Sequence, residues 1–306
     1  MEARPLIIDC DPGQDDAVAL LFAFASPELE VLGVTTVAGN APLELTAANA
    51  RRVCELAGRG DMAVYAGCPR PILRPLATAA HVHGEDGLEG ANLPAPAMAL
   101  QSRHAVDYLV ERLMASDGDV TLAALGPLTN VALAIVAAPA IVPRIREIVI
   151  MGGAIEGGNV TAHAEFNIHT DPHAAAVVFS AGARLTMIGL DVTHRAIATR
   201  ERVAAIRAIG RAPARTVAGM LAQHLDDPAG RHGGGGATLH DPCVIAYLLQ
   251  PALFETQSMR VEIETEDPAS LGRTIADRPG ATNANVAIGI DAEGYFALLT
   301  ERLARL

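Results

Sequence analysis

The chain lacks three features that would place it in a particular class: a basic region, paired cysteines and a continuous apolar segment. It has 23 lysines and arginines against 35 aspartates and glutamates, so its formal net charge is −12. This charge argues against a nucleic-acid partner, because phosphate binding needs clustered positive side chains. The four cysteines, at positions 10, 54, 68 and 243, form no CxxC motif, as expected for reduced thiols of a cytoplasmic protein.

The apolar segments are too often broken for a membrane span. Residues 120–143 carry no charge, but Pro127, Asn130, Pro139 and Pro143 interrupt them. Such breaks fit a buried strand, a tight turn and a core helix better than a spanning helix. The first predicted strand begins within a few residues of the N-terminus, which leaves no room for a signal peptide. We therefore expect a cytoplasmic protein with no membrane contact.

What is present is typical of an α/β protein. Half of the 306 residues are hydrophobic, and short β-branched or apolar runs alternate with alanine-rich helical patterns. This alternation predicts an open, mostly parallel central sheet with flanking helices, and no linker or repeat divides residues 1–306, so a single domain is predicted. The predicted strands are 6–10, 30–37, 62–65, 120–125, 147–151, 185–190, 260–264 and 285–290. The predicted helices are 14–25, 42–57, 102–115, 128–137, 173–181, 199–209, 241–249 and 293–306.

The most informative stretch is residues 7–18, in which Asp9, Asp11, Asp15 and Asp16 fall within eight residues after an apolar run. Four like charges this close would destabilise a packed turn unless a cation or a proton lies among them. Carboxylates at the end of a strand predict a site for a hard metal ion. A solvated acidic loop is the alternative, but the apolar runs on both sides favour burial.

Asp11 and Asp16 are the best candidates for metal ligands, because a Pro-Gly turn between them lets both carboxylates point inward. Asp241 could supply a third carboxylate. Like Asp171, it stands before a proline at a predicted helix start, so simple N-capping is an equally good interpretation. The glycine run at 233–236 could form a lid over the site or a surface loop with no role.

Further polar residues follow the predicted strands at the point where each strand ends, with Asn40 after the second strand and Asp191 after the sixth. Because the carboxyl ends of parallel strands meet at one edge of a sheet, the fold should gather these residues. A second cluster, formed by Asn159, Glu165 and Asn167, suits a neutral ligand with several hydroxyls. Loop asparagines are also common turn formers, which leaves the structural interpretation open.

The ten histidines have no zinc-binding context, since neither HExxH nor CxxC accompanies the pair His81 and His83. For a single histidine the structural or solvent-facing interpretation is preferred, except for His240 beside Asp241. No GxSxG nucleophile motif is present.

The run Asp9-Cys10-Asp11-Pro12-Gly13-Gln14-Asp15-Asp16-Ala17 resembles the signature of the nucleoside hydrolases, the inosine-uridine-preferring N-ribohydrolase family. The resemblance covers nearly the whole chain and implies a Rossmann-like nucleoside hydrolase fold. It also implies hydrolysis of the N-glycosidic bond of ribonucleosides to free base and ribose. The other motifs that carry it are Thr35-Thr36-Val37-Ala38-Gly39-Asn40, His81-Val82-His83-Gly84, Gly126-Pro127-Leu128-Thr129-Asn130, Met151-Gly152-Gly153, Ala164-Glu165-Phe166-Asn167 and His240-Asp241-Pro242-Cys243.

The resemblance also implies roles for individual residues. A calcium ion (Ca2+) is expected on Asp11, Asp16, Asp241 and the backbone carbonyl of Leu125. Asp11 is expected to accept a proton from the attacking water, and His240 to assist departure of the base. The residues expected around the ribonucleoside are Asp15, Asn40, His81, Met151, Asn159, Glu165, Phe166 and Asn167. Similar proteins are usually dimers or tetramers, so a homodimer or homotetramer is expected.

Two departures from the family pattern concern the base. The stretch before His240 lacks the tyrosines often found there, and the chain has no tryptophan for indole stacking. A broad or pyrimidine-leaning hydrolase is therefore expected. Two alternatives stay open: a non-catalytic, metal-dependent ribose or nucleoside binder, and a haloacid-dehalogenase-type phosphatase suggested by Asp9-x-Asp11. The phosphatase is disfavoured because Pro12-Gly13 follows the pair and no lysine stands in a matching context.

Overall fold

The structure, a computed structural model, describes residues 3–225, 236–276 and 279–306. The strands in these residues are β1 Arg4–Cys10, β2 Leu29–Thr36, β3 Val64–Ala66, β4 Val120–Ala124, β5 Ile145–Met151, β6 Leu185–Ile188, β7 Ile197–Ala198, β8 Ala237–Thr238, β9 Phe254–Met259, β10 Glu262–Ile263, β11 Thr274–Ile275 and β12 Ala284–Ile290. The α-helices are α1 Gln14–Phe24, α2 Leu43–Leu56, α3 Ala80–His83, α4 Ala105–Met114, α5 Thr129–Ala137, α6 Phe166–Thr170, α7 Pro172–Ser180, α8 Leu190–Thr193, α9 Arg200–Ala208, α10 Ala212–Ala222, α11 Pro242–Leu249 and α12 Ala292–Leu303. Short 3₁₀ helices occupy Pro139–Arg144 and Pro251–Leu253.

Eight of the strands form one sheet in the order β3-β2-β1-β4-β5-β6-β12-β9. All neighbouring strands in it run parallel except β9, which pairs antiparallel with β12 at one edge. The central strand β4 is buried along its whole length, as expected for a parallel strand covered by helices on both faces. The predicted mostly parallel α/β architecture is confirmed.

The core is divided by the sheet into two apolar layers. Along β1, Leu6 and Ile8 face one layer and Ile7 faces the other, because successive side chains of a strand point to opposite faces. Helices α1, α2 and α9–α12 cover the first face, and α4, α5 and α7 cover the second. In the part of the chain that the structure describes, every helix is too short or too polar to cross a bilayer.

The sequence did not predict the short elements β7, β8, β11, α3, α6 and α8. It also missed two longer elements, β9 and α10, for identifiable reasons. Strand β9 has four exposed residues between its buried ends, so it lacks the apolar run that predicts a strand; the strand predicted at 260–264 shortens to β10. Helix α10 carries Pro213 in its first turn. Proline is tolerated there because the N–H it lacks would have no helical partner.

The side chain of Asn130, at the start of α5, ties three strand ends together. Its Nδ2 donates to Asp9 Oδ1 at 2.8 Å and to the Thr36 carbonyl at 3.0 Å, and its Oδ1 accepts from the Cys68 N–H at 2.9 Å. Asn130 is fully buried, so no water can replace these bonds. The amide therefore fixes the ends of β1 and β2 and the residues after β3 relative to one another.

Replacing Asn130 with alanine should destabilise the fold by about 2–4 kcal/mol. The change leaves the Cys68 N–H without its acceptor and removes one hydrogen-bond donor from the buried carboxylate of Asp9. Chemical denaturation followed by circular dichroism measures this change. The matched control is Gln257→Ala on exposed β9, which should change the free energy of unfolding by less than about 0.5 kcal/mol. Equal effects of the two variants would contradict the role of the amide.

Candidate active site

The residues with possible chemistry meet at the carboxyl edge of the sheet, beyond the ends of β1, β2, β4 and β5. A cavity of about 300 Å³ opens at this edge, a size at the lower end of the range for small-molecule sites. Of the residues expected at the site from the sequence, those that line the cavity are Asp15, Asn40, His81, Leu125, Met151, Asn159, Glu165, Phe166, Asn167, His240 and Asp241. The two others, Asp11 and Asp16, are fully buried at its floor.

Three carboxylates converge at the floor of the cavity. Asp15 and Asp16 lie in the first turn of α1, Asp241 precedes α11, and one oxygen from each lies within 4.8 Å of the others. Asp241 stands at the N-cap position but makes no side-chain capping bond. The N-cap interpretation thus holds for Asp171, which accepts from the Ala174 N–H at 3.1 Å, and was wrong for Asp241. The carboxylate of Asp241 faces Asp16 instead.

Asp11 is held tightly, with one oxygen left over. The Asn40 N–H donates to Asp11 Oδ2 at 2.6 Å, whereas Oδ1 is buried without a hydrogen-bond partner among the described residues. A Cβ atom on Gly39 would lie 2.1 Å from Oδ2, and one on Gly126 would lie 2.3 Å from Oδ1. Both positions therefore require glycine, and the unpaired oxygen is available for a cation or a proton.

Hydrogen bonds also fix the neighbouring carboxylates. Asp16 Oδ1 accepts from the Asp11 N–H at 3.1 Å, and its Oδ2 accepts from the Gly13 N–H at 2.9 Å and from Asn40 Nδ2 at 3.1 Å. Asp15 accepts from the backbone N–H groups of His240 and Asp241. The turn after β1 and the start of α11 are thus joined through the acidic side chains.

Burial raises the pKa of each carboxyl in this group. The pKa values of Asp15 and Asp16 rise to about 6. Those of Asp11 and Asp241 rise well above the usual range, first through burial and then through the negative charge of the other aspartates. Buried, mutually repelling oxygen donors with one unpaired oxygen are the environment that a hard divalent cation stabilises. The residues therefore fit a metal site.

One wall of the cavity is built from amides and a carboxylate whose positions are fixed by the backbone. Asn167 Nδ2 donates to the carbonyls of Leu125 at 2.7 Å and Met151 at 3.1 Å. Glu165 accepts from the Gly153 N–H at 2.9 Å and from the Asn167 N–H at 3.0 Å as the N-cap of α6. Burial raises the pKa of Glu165 to about 7. Asn159 Oδ1 accepts from the N–H of Phe166 at 2.9 Å, near the exposed end of the cavity.

Imidazoles form the other side. His240 Nδ1 lies 2.8 Å from Thr193 Oγ1, and the ring of His194 meets the His240 ring edge-on at 5.8 Å between centroids. His83, His194 and His224 also line the cavity, although the sequence favoured structural or solvent-facing histidines. Gln14, Thr193 and His224 were missed as site residues; only Gln14, beside Asp15 in the first motif, carried a sequence signal.

Part of the region before Asp241 lies outside the described residues. This applies to 226–235, and hence to three of the four glycines of the lid suggested at 233–236. Gly236 and β8, which follow, are buried against β7.

Comparisons with known proteins agree with the sequence resemblance. The sequence profile of the family described as inosine-uridine preferring nucleoside hydrolase matches residues 6–297. A pyrimidine-specific ribonucleoside hydrolase RihA of Shewanella sp. (strain ANA-3) is 47% identical over 309 residues, covering 99% of this chain and 96% of the relative. A pyrimidine-specific ribonucleoside hydrolase RihB of Escherichia coli is 41% identical over 305 residues, covering 98% and 97%.

A solved structure shows the same fold. The purine-preferring ribonucleoside hydrolase from Gardnerella vaginalis superimposes with a TM-score of 0.92 at 32% identity, covering 98% of each chain. The sheet, the cavity and the acidic floor therefore occur in a chain that matches these proteins from end to end.

The acidic floor predicts a pH-dependent stability in chelating buffer. Relative to Asp241→Asn, the wild-type protein should lose free energy of unfolding as the pH rises above the ordinary pKa of an aspartate, about 3.9. The pKa of Asp241 is raised in the folded state, so the folded wild type binds more protons than the unfolded chain in this window. This contribution is present at low pH and is lost as the pH rises. Urea denaturation at several pH values measures the difference between the two proteins.

The two proteins differ by a single carboxyl group, so their difference reports on the acidic floor. A difference in stability between wild type and Asp241→Asn that stays constant over this pH range would contradict the raised pKa of Asp241.

Proposed function

Because the chain belongs to the inosine-uridine preferring nucleoside hydrolase family, it is a hydrolase of N-glycosyl bonds, and we propose that it cleaves pyrimidine ribonucleosides with the help of calcium. The observation that carries this proposal is the convergence of Asp15, Asp16 and Asp241 within 4.8 Å at the floor of a cavity whose wall is built from Asn40, Glu165 and Asn167. Wild-type protein releasing ribose from uridine or cytidine is the direct test.

The preference for pyrimidines rests on the relatives and on the composition of the chain. Two relatives at 47% and 41% identity are described as pyrimidine-specific. The chain has no tryptophan that could stack on a purine. The proposal therefore places uridine and cytidine before inosine.

Asp11, Asp16, Asp241 and the Leu125 carbonyl would hold the calcium ion, because all four offer oxygen, which this cation prefers. Asn167 already contacts the Leu125 carbonyl at 2.7 Å and so fixes its direction. When bound, calcium supplies positive charge that keeps the surrounding carboxylates ionised and orients water and ribose hydroxyls.

Asp11 is the general base of the proposal. The bond to Asn40 N–H immobilises Oδ2, and burial leaves Oδ1 without a protein partner among the described residues, so Oδ1 is the atom that would accept the proton of the attacking water. A carboxylate fixed in this way loses little entropy on reaction. As the C1′–N bond breaks, the sugar acquires oxocarbenium character, and the acidic floor stabilises that positive charge.

The ribose lies deep in the cavity. Asp15, Asn40, Glu165 and Asn167 would bind its hydroxyls, since carboxylates accept and amides both donate and accept hydrogen bonds. Met151 and Phe166 supply apolar contact, and Asn159 and His81 lie nearer the exposed end. Several contacts to one furanose ring hold it in the geometry of attack.

The departing base gains electron density and leaves from the side opposite the water. His240 is the residue placed to give it a proton or a hydrogen bond, with the ring oriented by Thr193 Oγ1 at 2.8 Å. Thr193 is therefore a positioning residue. The general base, Asp11, lies at the floor of the cavity, and the general acid, His240, lies on its imidazole side. A homodimer or homotetramer in the cytoplasm stays a prediction.

Wild-type protein with calcium should release reducing sugar from uridine and cytidine faster than from inosine. Asp11→Asn should lower kcat by about 10²–10⁴-fold, the usual range for loss of a general base, with the fold retained. A reducing-sugar assay with circular dichroism measures both.

The matched control is Asp107→Asn, the same change at an exposed residue of α4, which should leave kcat unchanged. No ribose from any nucleoside of the panel, or an Asp11→Asn variant as active as wild type, would refute the proposal.

Calcium should raise the melting temperature at about pH 7.5, which lies above the pKa of about 6 of Asp15 and Asp16, so that their negative charges repel each other without a cation. An ion at a hundred times its Kd adds about 2.7 kcal/mol to the free energy of unfolding. Magnesium should stabilise less, because it gives up its waters reluctantly. Differential scanning fluorimetry of wild type and Asp241→Asn measures the shift. A calcium-induced shift of the same size in both proteins would show that the ion binds elsewhere.

A further inference from the structure

Gln14 belongs to the first motif and has no part in the proposed chemistry, yet it is only 4% exposed and lines the cavity. It is the first residue of α1 and directly precedes Asp15 and Asp16. Its side chain contacts the loop that carries Glu89 and the segment that follows α10. There its Nε2 donates to the Glu89 carbonyl at 2.7 Å, and its Oε1 lies 2.5 Å from His224 Nε2.

These two contacts determine the orientation of the amide and a hydrogen position on the imidazole. The Glu89 carbonyl can only accept, so the NH₂ group of Gln14 must face it, and Oε1 must face His224. Because Oε1 also only accepts, His224 Nε2 carries a hydrogen. Gln14 thus holds the Nε2 edge of the His224 ring and favours the form of the ring with a hydrogen on Nε2.

The two hydrogen-bond partners of Gln14, Glu89 and His224, lie in a loop and a helix end that pack against each other. Gly90, the residue after Glu89, meets Gly219 of α10 so closely that a Cβ on Gly219 would lie 2.8 Å from the Gly90 carbonyl oxygen. His224 follows the end of the same helix. The loop carbonyl and the imidazole are therefore held relative to each other, and Gln14 connects them to the helix that carries the acidic floor.

Depth in the cavity indicates which part of a nucleoside His224 meets. Asn40, Glu165, Asn167 and Asp241 are buried, whereas the imidazoles of His224 and His240 are only half-buried. The ribose hydroxyls need the buried polar groups, so the base must lie above them at the level of the imidazoles. Charge agrees with this placement, because a base gaining electron density is repelled by carboxylates and attracted by N–H donors.

We propose that Gln14 is a positioning residue for the base: it holds His224 against the pyrimidine ring and thereby sets the preference among bases. This inference rests on the proposed nucleoside hydrolysis and extends it to the choice of substrate. Three consecutive residues then serve different parts of the site. Gln14 acts on the base through His224, Asp15 binds the ribose and Asp16 binds the cation.

The test compares substrates that share ribose and differ in the leaving group. Uridine, cytidine and inosine are compared with 4-nitrophenyl β-D-ribofuranoside, whose leaving group lacks the polar edge of a nucleobase. Gln14→Leu should lower kcat/KM for uridine and cytidine by about 10-fold or more, the value of one well-placed hydrogen bond, and change that for the nitrophenyl riboside by less than about 3-fold. His224→Ala should show the same pattern, and the double variant should lose no more than His224→Ala alone.

The control is Gln223→Leu, the same change at an exposed residue beside His224, and it should leave all four substrates unaffected. If Gln14→Leu does not fold, the comparison uses His224→Ala and Gln14→Glu. The glutamate of Gln14→Glu still offers an acceptor to His224 Nε2, but at neutral pH it cannot donate to the Glu89 carbonyl.

Equal losses on nucleosides and on the nitrophenyl riboside would overturn the inference, since Gln14 would then act through the ribose or the acidic floor. Unchanged kinetics, or additive effects of the two substitutions, would overturn it as well. These outcomes are distinct from failure of the proposed function, in which wild-type protein itself would release no ribose from any nucleoside.

Discussion

The structure depends on the burial of several carboxylates at one point of the sheet edge. Asp11, Asp16 and Asp241 are buried, and Asp15, Asp16 and Asp241 each bring one oxygen within 4.8 Å of the others. This placement costs free energy unless positive charge or protons compensate for it. Backbone N–H groups and the Asn40 amide supply part of this compensation. The remainder is what makes the site suitable for a divalent cation and for a sugar that becomes positive.

The surrounding fold keeps these charges in place from several directions. Asn130 links the strand ends beneath them, and the Gly39 and Gly126 positions leave Asp11 just enough room. The repulsion between carboxylates is thus confined to the candidate active site, whereas the interactions that compensate for it come from distant parts of the chain. The rigid sheet therefore compensates for the unfavourable free energy of the clustered carboxylates.

The sequence predicted the architecture because parallel strands and helices have strong periodic patterns, and it predicted the gathering of Asp11 and Asn40 because strand ends share an edge. It could not decide what Asp241 does, since a cap and an inward-facing carboxylate have the same sequence pattern. Nor did it find His224 in the cavity wall, because that position depends on how α10 packs. Helix α10 was itself not predicted, since Arg211 at its N-cap makes no side-chain capping bond. Tertiary packing, which has no local signature, decides such residues.

The order Gln14, Asp15, Asp16 has a consequence for how such an enzyme can change. Adjacent residues of a helix are separated by a rise of about 1.5 Å and a turn of about 100°, so the three side chains diverge from almost one point. A substitution of Gln14 could therefore change the choice of base while Asp15 and Asp16 keep their positions toward the ribose and the cation site. The preference for a base and the cleavage of the bond would then depend on neighbouring residues of a single helical turn.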